Sequence, residues 1–229
     1  AIEAAEAFAH AGYPLDSKAL LIVELDGPQV EVELLINRVE NISTAHGATY
    51  IKVSKDEEER LRFWSGRKSA FPAVGRLSPD YLCMDGTIPR GQLAHVLERL
   101  GELSEKYGLR VANVFHAGDG NLHPLILFDS NIEGQTELAE AMGGDILRLC
   151  VEVGGVLTGE HGVGVEKRDL MGEMFTEDDL KQQQRLKCAF DAEQLLNPGK
   201  VFPTLHRCAE LGKMHVHNGQ LPFPNIPRF

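Results

Sequence analysis

Phe115-His-Ala-Gly-Asp-Gly-Asn-Leu-His-Pro124 places two histidines, an aspartate and an asparagine around two glycines. His116 closes one apolar run and His123 opens the next, so a turn between them could bring both imidazoles to one point. Side chains opposed across two strands have Cβ atoms about 4.5–5.5 Å apart, which is compatible with two ligands sharing one metal ion. Asp119 and Asn121 add polar groups beside glycines that let a ligand approach the backbone closely. An Asx-stabilised turn with incidental histidines would read the same way.

A second cluster, Gly154-Gly-Val-Leu-Thr-Gly-Glu-His-Gly-Val-Gly164, brackets two adjacent ionisable residues with glycines. Glu160 can complete a two-histidine, one-carboxylate set with His116 and His123, leaving positions open for substrate or water. Such a set suits zinc, iron or manganese. His161 could then act as a base near neutral pH. The alternative is an ordinary glycine-rich connection. Two weaker signals remain. Leu195-Leu-Asn-Pro-Gly-Lys200 alone is a common turn. In Trp64-Ser-Gly-Arg67, Arg67 could bind a carboxylate bidentately or pair with nearby acidic residues.

These residues need elements to carry them. Residues 1–12 read as a short helix, 19–26 and 48–53 as strands, and Gln29 to His46 as a helix striped by Val32, Leu35, Val39 and Ile42. Ser54 is a candidate N-cap for a helix that opens on acidic residues. A strand near 81–85 precedes a helix from about Arg90 to Tyr107, with Gly108 as its stop. Leu109–Phe115 and Leu122–Phe128 are a hairpin candidate, and helices follow at roughly 134–153 and 176–192. Alternating strands and helices with one hairpin predict an α+β fold. From Pro203 onward four prolines and no periodicity predict an extended tail, with Leu221, Phe223, Ile226 and Phe229 available to dock on another surface.

The chain of 229 residues is long enough for a sizeable core, and 43% hydrophobic with 25% charged residues is the composition of a globular protein. A net charge of −11 argues against a general nucleic-acid binder. No apolar run approaches the roughly 18 residues of a membrane span. Four scattered cysteines without a Cys-x-x-Cys argue against a disulfide framework and for a reducing compartment.

Taken together, the blocks resemble the C-terminal region of the FAD-linked oxidases of the vanillyl-alcohol-oxidase type, in particular the glycolate oxidase D-subunit branch. The resemblance runs through Trp64–Pro72, Met84-Asp-Gly-Thr-Ile-Pro89, His116–Pro124, Thr158-Gly-Glu-His-Gly162 and Leu196–Lys200. It continues into Pro203–Cys208 and Met214-His-Val-His217. It implies a ferredoxin-like cap over residues 1–155, with an antiparallel sheet covered by helices. A C-terminal helical region (156–202) and the tail (203–229) would follow. It also implies roles: His116, His123 and Glu160 as ligands of a divalent metal, His161 as the base, Arg67 and Asn121 as substrate contacts, and Asn197 as a flavin-facing residue. One departure bears on specificity. The D-2-hydroxyglutarate branch has a substrate-binding lysine where this chain has Cys83, which disfavours a substrate with a second carboxylate.

A glycine-rich cradle for the FAD pyrophosphate is not found ahead of the cap-like region, so FAD is expected to sit mostly in a domain outside this chain. The expected function is the substrate half of a 2-hydroxyacid dehydrogenase acting on glycolate or D-lactate. A metal-dependent hydrolase and a noncatalytic assembly module of an oxidase complex are the alternatives. Implied partners are the small 2-hydroxyacid, the flavin domain and other glycolate oxidase subunits, including an iron-sulfur subunit. The implied location is cytoplasmic, or peripheral at the inner membrane through those subunits.

Overall fold

Helix-forming stripes and β-branched runs alternate along the chain, and the computed structural model, which describes residues 1–203, turns them into an α+β architecture. The chain divides into two compact units, Ala1–Tyr81 and Leu82–Phe229, so position 155 lies inside the second.

The first unit holds α1 (Ile2–Ala9), α2 (Gln29–Ala45), α3 (Glu57–Lys68) and α4 (Ala70–Val74). Residues 19–26 and 48–53, expected as strands, join no sheet: Leu21 is 68% and Val23 47% exposed, and Ile51 and Val53 are also exposed. β-branched composition supplies propensity, but a strand exists only where a partner completes its hydrogen-bond ladder. Helix α2 forms where its stripe predicts, yet it buries no residue. The N-cap of α3 is Asp56 rather than Ser54, because the Asp56 carboxylate accepts the Glu59 N–H at 2.8 Å.

Strand β1 (Asp80–Cys83) spans the division between the units. The second unit continues with α5 (Leu93–Tyr107, after a 3₁₀ turn at Arg90–Gln92), β2 (Arg110–His116) and β3 (Asn121–Phe128). These are followed by α6 (Gln135–Glu152), α7 (Met171–Met174, after a 3₁₀ turn at Arg168–Leu170) and α8 (Glu177–Phe190). Gly108 ends α5 at φ 66°, the left-handed geometry that glycine adopts without a Cβ penalty. Helix α8 opens on a capping box between Thr176 and Asp179.

The sheet order is β1-β3-β2, with β2 and β3 antiparallel. Central β3 is buried along all but its last residue. Leu122 and Ile126 pack into one core with Val96 and Leu100 of α5 and Met142 and Ile146 of α6. Strand alternation therefore turns Asn121 and His123 to the opposite face. After β1, the chain runs on along β3. The Met84 N–H donates to the Pro124 carbonyl (3.2 Å), Leu122 N–H to Gly86 (2.9 Å) and Ile88 N–H to Gly120 (2.9 Å). Gly86 permits this course: a Cβ there would lie 2.5 Å from the Cys150 sulfur of α6.

Among the described residues Cys83 and Cys150 are free thiols, whereas Cys188 is disulfide-bonded. Among the described residues no helix is long and apolar enough to cross a membrane. The tail expected beyond Pro203 lies outside the described residues.

Candidate metal and substrate site

The hairpin register determines how the histidines meet. His116 pairs with Asn121, and His123 with Val114. The two histidines are thus diagonal neighbours on one face rather than directly opposed, as the sequence suggested. Diagonal Cβ atoms are about 7–8 Å apart, and side-chain length closes the gap. Their ring centroids are 5.3 Å apart and nearly perpendicular. Gly120, at φ +75°, closes the turn, where a Cβ would land on the Ile88 carbonyl oxygen.

Glu160 arrives from the loop after α6. Its Oε1 lies 3.1 Å from His123 Nε2, 3.9 Å from His116 Nε2 and 4.0 Å from His161 Nε2. The His161 ring stacks on His123, with centroids 5.1 Å apart and an interplanar angle of 10°. His123 is only 4% exposed, while His116, Glu160 and His161 are about half exposed at 47%, 54% and 45%. Burial, and then the proximity of His161, lower the His123 pKa and favour the neutral imidazole that can ligate. Asp85, His123, Glu160 and His161 form a group whose ligand atoms all lie within 4.8 Å of one another. That group contains Asp85, which the sequence reading passed over, and omits His116. Two imidazoles with a carboxylate are chemically suited to a divalent transition metal.

Beside this cluster opens a pocket of about 330 Å³, lined by Thr87, His116, Asp119, Asn121, Gly159 and Glu160. Asn121 is 6% exposed. Its Oδ1 and the Thr87 Oγ1 are buried without a hydrogen-bond partner among the described residues, as expected of groups that await a ligand or water. Gly159 permits the close packing here, since a Cβ would collide with the Asn121 amide.

Asp85 is fully buried and organises the loop from below. Its carboxylate accepts the Thr158 hydroxyl at 2.8 Å, the Gly159 N–H at 3.0 Å, the Glu160 N–H at 3.2 Å and the His161 N–H at 2.9 Å. The Lys167 ammonium, itself 4% exposed, donates to it at 3.0 Å. Burial alone would raise the Asp85 pKa; the donors, led by His161 N–H and Thr158, outweigh it and hold the carboxyl well below the usual range. Asp85, Thr87 and Lys167 were missed by sequence reasoning. For Asp85 and Thr87 the only signal was the Met84–Pro89 block, which carried the resemblance without suggesting a role, and Lys167 stood in none of the blocks.

Two further expected site residues belong to other segments of the chain. Arg67 is in the last turn of α3, in the first unit. Asn197 is exposed after α8, at φ 47°, and does not line the pocket.

Residues 1–201 match the family of FAD linked oxidases, C-terminal domain. The glycolate oxidase subunit GlcD of Escherichia coli (strain K12) is 59% identical over 228 residues, covering 100% of this chain and 46% of that protein. GlcD of Bacillus subtilis (strain 168) is 34% identical over 86% of this chain and 42% of its own length. The mitochondrial D-lactate dehydrogenase [cytochrome] of Kluyveromyces lactis is 32% identical over 75% of this chain and 30% of its own length. This chain therefore spans less than half the length of these relatives. With the family match running through both compact units, the chain belongs to the FAD-linked oxidases and carries their C-terminal domain.

Proposed function

We propose that this chain is the substrate-binding part of an FAD-dependent 2-hydroxyacid dehydrogenase that oxidises glycolate or D-lactate to the 2-oxoacid. The observation that carries the reading is the convergence of His116, His123 and Glu160 at the rim of a small polar pocket, with His161 stacked on His123. His116, His123 and Glu160 would hold a divalent metal. When bound, the metal supplies a Lewis acid for the substrate carboxylate and α-hydroxyl. His161 takes the hydroxyl proton on an imidazole nitrogen. Asn121 offers its unpartnered buried amide oxygen to the substrate, and Arg67 is a further candidate for the carboxylate. FAD, when bound, supplies the acceptor for the hydride that leaves the α-carbon.

Cys83 supports a substrate with one carboxylate. A cysteine in place of lysine offers no cation to a second acid group, and burial, reinforced by Asp85, pushes its thiol up to about 11, so it stays uncharged. Leu195 and Leu196, 72% and 62% exposed beside Asn197, suit a surface covered by a flavin-carrying domain. Further subunits, an iron-sulfur subunit among them, belong to the same reading, as does a cytoplasmic position peripheral to the inner membrane.

The test joins this chain to its flavin domain and follows flavin bleaching by glycolate and D-lactate. His161→Ala should lower kcat by roughly 10²–10⁴-fold while metal content stays near wild type. Near-normal kcat in that variant would remove His161 as the base. Failure of both acids to reduce the wild-type flavin would sink the functional reading.

A further inference from the structure

We propose that Asp85 is a positioning residue: its buried carboxylate, with Lys167 as counter-ion, holds the Thr158–His161 segment so that Glu160 and His161 are aimed before any metal arrives. The inference rests on the reading of Glu160 as ligand and His161 as base.

Three successive backbone N–H groups, of Gly159, Glu160 and His161, converge on this one carboxylate, and the Thr158 hydroxyl joins them. The Gly159 N–H also reaches the Asp85 carbonyl at 2.9 Å. The segment lies in no helix or strand, so these contacts take the place of secondary structure. Backbone N–H groups curled around one anion form a nest, here filled from within the protein. Side chains of Glu160 and His161 are about half exposed, so their direction depends on how their backbone is held.

The same contacts argue against Asp85 as a metal ligand, although Asp85 Oδ1 lies 3.5 Å from His123 Nε2. Asp85 Oδ2 already faces the Thr158 hydroxyl, three N–H groups and an ammonium. Ligation through Oδ2 would strip the loop of its anchor. Ligation through Oδ1 would compete with the Glu160 N–H, which donates to it at 3.2 Å, and place a metal cation on the carboxylate that already carries the Lys167 ammonium. Groups that orient ligands without touching the metal typically change affinity by about 10–100-fold when lost.

The experiment uses the whole 229-residue chain with Co(II) alone as the probe. In metal-free wild type, the amides of Gly159, Glu160 and His161 should exchange slowly. In Asp85→Asn they should exchange at least about tenfold faster. Co(II) should bind that variant roughly 10–100-fold more weakly, with an unchanged visible spectrum at saturation, because the ligands are the same. Adding Lys167→Met removes the orphaned ammonium and should restore thermal stability while leaving Co(II) affinity low. A merely structural role would restore both. Thr158→Val keeps the carboxylate, removes one donor and should show a smaller loss, which covers the case in which Asp85→Asn fails to fold. A changed Co(II) spectrum at saturation would make Asp85 a ligand and overturn the proposal. Wild-type exchange and affinity in both single variants would overturn it as well. Absence of Co(II) binding by wild type would instead sink the metal reading, and the amide comparison would still decide for or against Asp85.

Discussion

His116 is about half exposed and 3.9 Å from Glu160, whereas His123 is buried and only 3.1 Å from it, so the two imidazoles are not equivalent. If both ligate, His116→Ala should weaken Co(II) binding beyond the roughly 10–100-fold of an outer partner, because the site falls from three protein ligands to two. Titration followed by visible absorption checks this, and unchanged affinity would hand the third position to another residue. His116, His123, Glu160 and His161 were legible in the sequence because ionisable residues stood among glycines at hairpin and loop spacing. Asp85 was not. A single carboxylate after an apolar strand has no spacing partner nearby, and its donors lie more than 70 residues away.

At the scale of elements, the β2–β3 hairpin aims three site side chains, and its turn depends on Gly120. Gly120→Ala would combine a left-handed backbone with a collision on the Ile88 carbonyl. We expect a loss of about 1–3 kcal/mol in urea unfolding, with weakened Co(II) binding because His116 and Asn121 pair across that turn. The end of α8 is held by another carboxylate. Asp191 accepts the Leu195 N–H at 2.9 Å, the Leu196 N–H at 3.0 Å and the Lys187 ammonium. The Lys187 bond chiefly lowers its pKa. Its folded value is therefore below the unfolded one, near 3.8; the stabilisation is present above that pH and is lost as pH falls through the folded value. The melting-temperature gap between wild type and Asp191→Asn should be open at neutral pH and close under acid. A gap that persists unchanged under acid would separate Asp191 from this stabilisation. The hairpin, α5, α6 and α8 were readable because each buries or caps residues locally. Residues 19–26 and 48–53 misled because their apolar, β-branched composition says nothing about whether a partner strand exists.

For the whole molecule, the division at Tyr81 and Leu82 places every candidate metal ligand in the second unit. The single tryptophan, Trp64, belongs to the first and serves as its reporter. Gly66→Ala would drive a Cβ into the Tyr13 ring. Trp64 fluorescence should then lose its folded signal at lower urea, while Co(II) absorption should vanish at the wild-type concentration. Joint movement of both midpoints would show that the units unfold together.

Asp85 must find an N–H that lies 76 residues further along the chain. A hairpin closes over a short loop and forms within about 1–10 μs, but long-range closure carries the larger entropic cost. During synthesis, then, His116 and His123 can be aligned while the ribosome has yet to release Glu160 and His161. A nascent chain at that stage would offer two imidazoles without the Glu160 carboxylate, which leaves the proposed ligand set incomplete. Metal capture thus becomes a late event of biogenesis, timed by the arrival of the loop at Asp85.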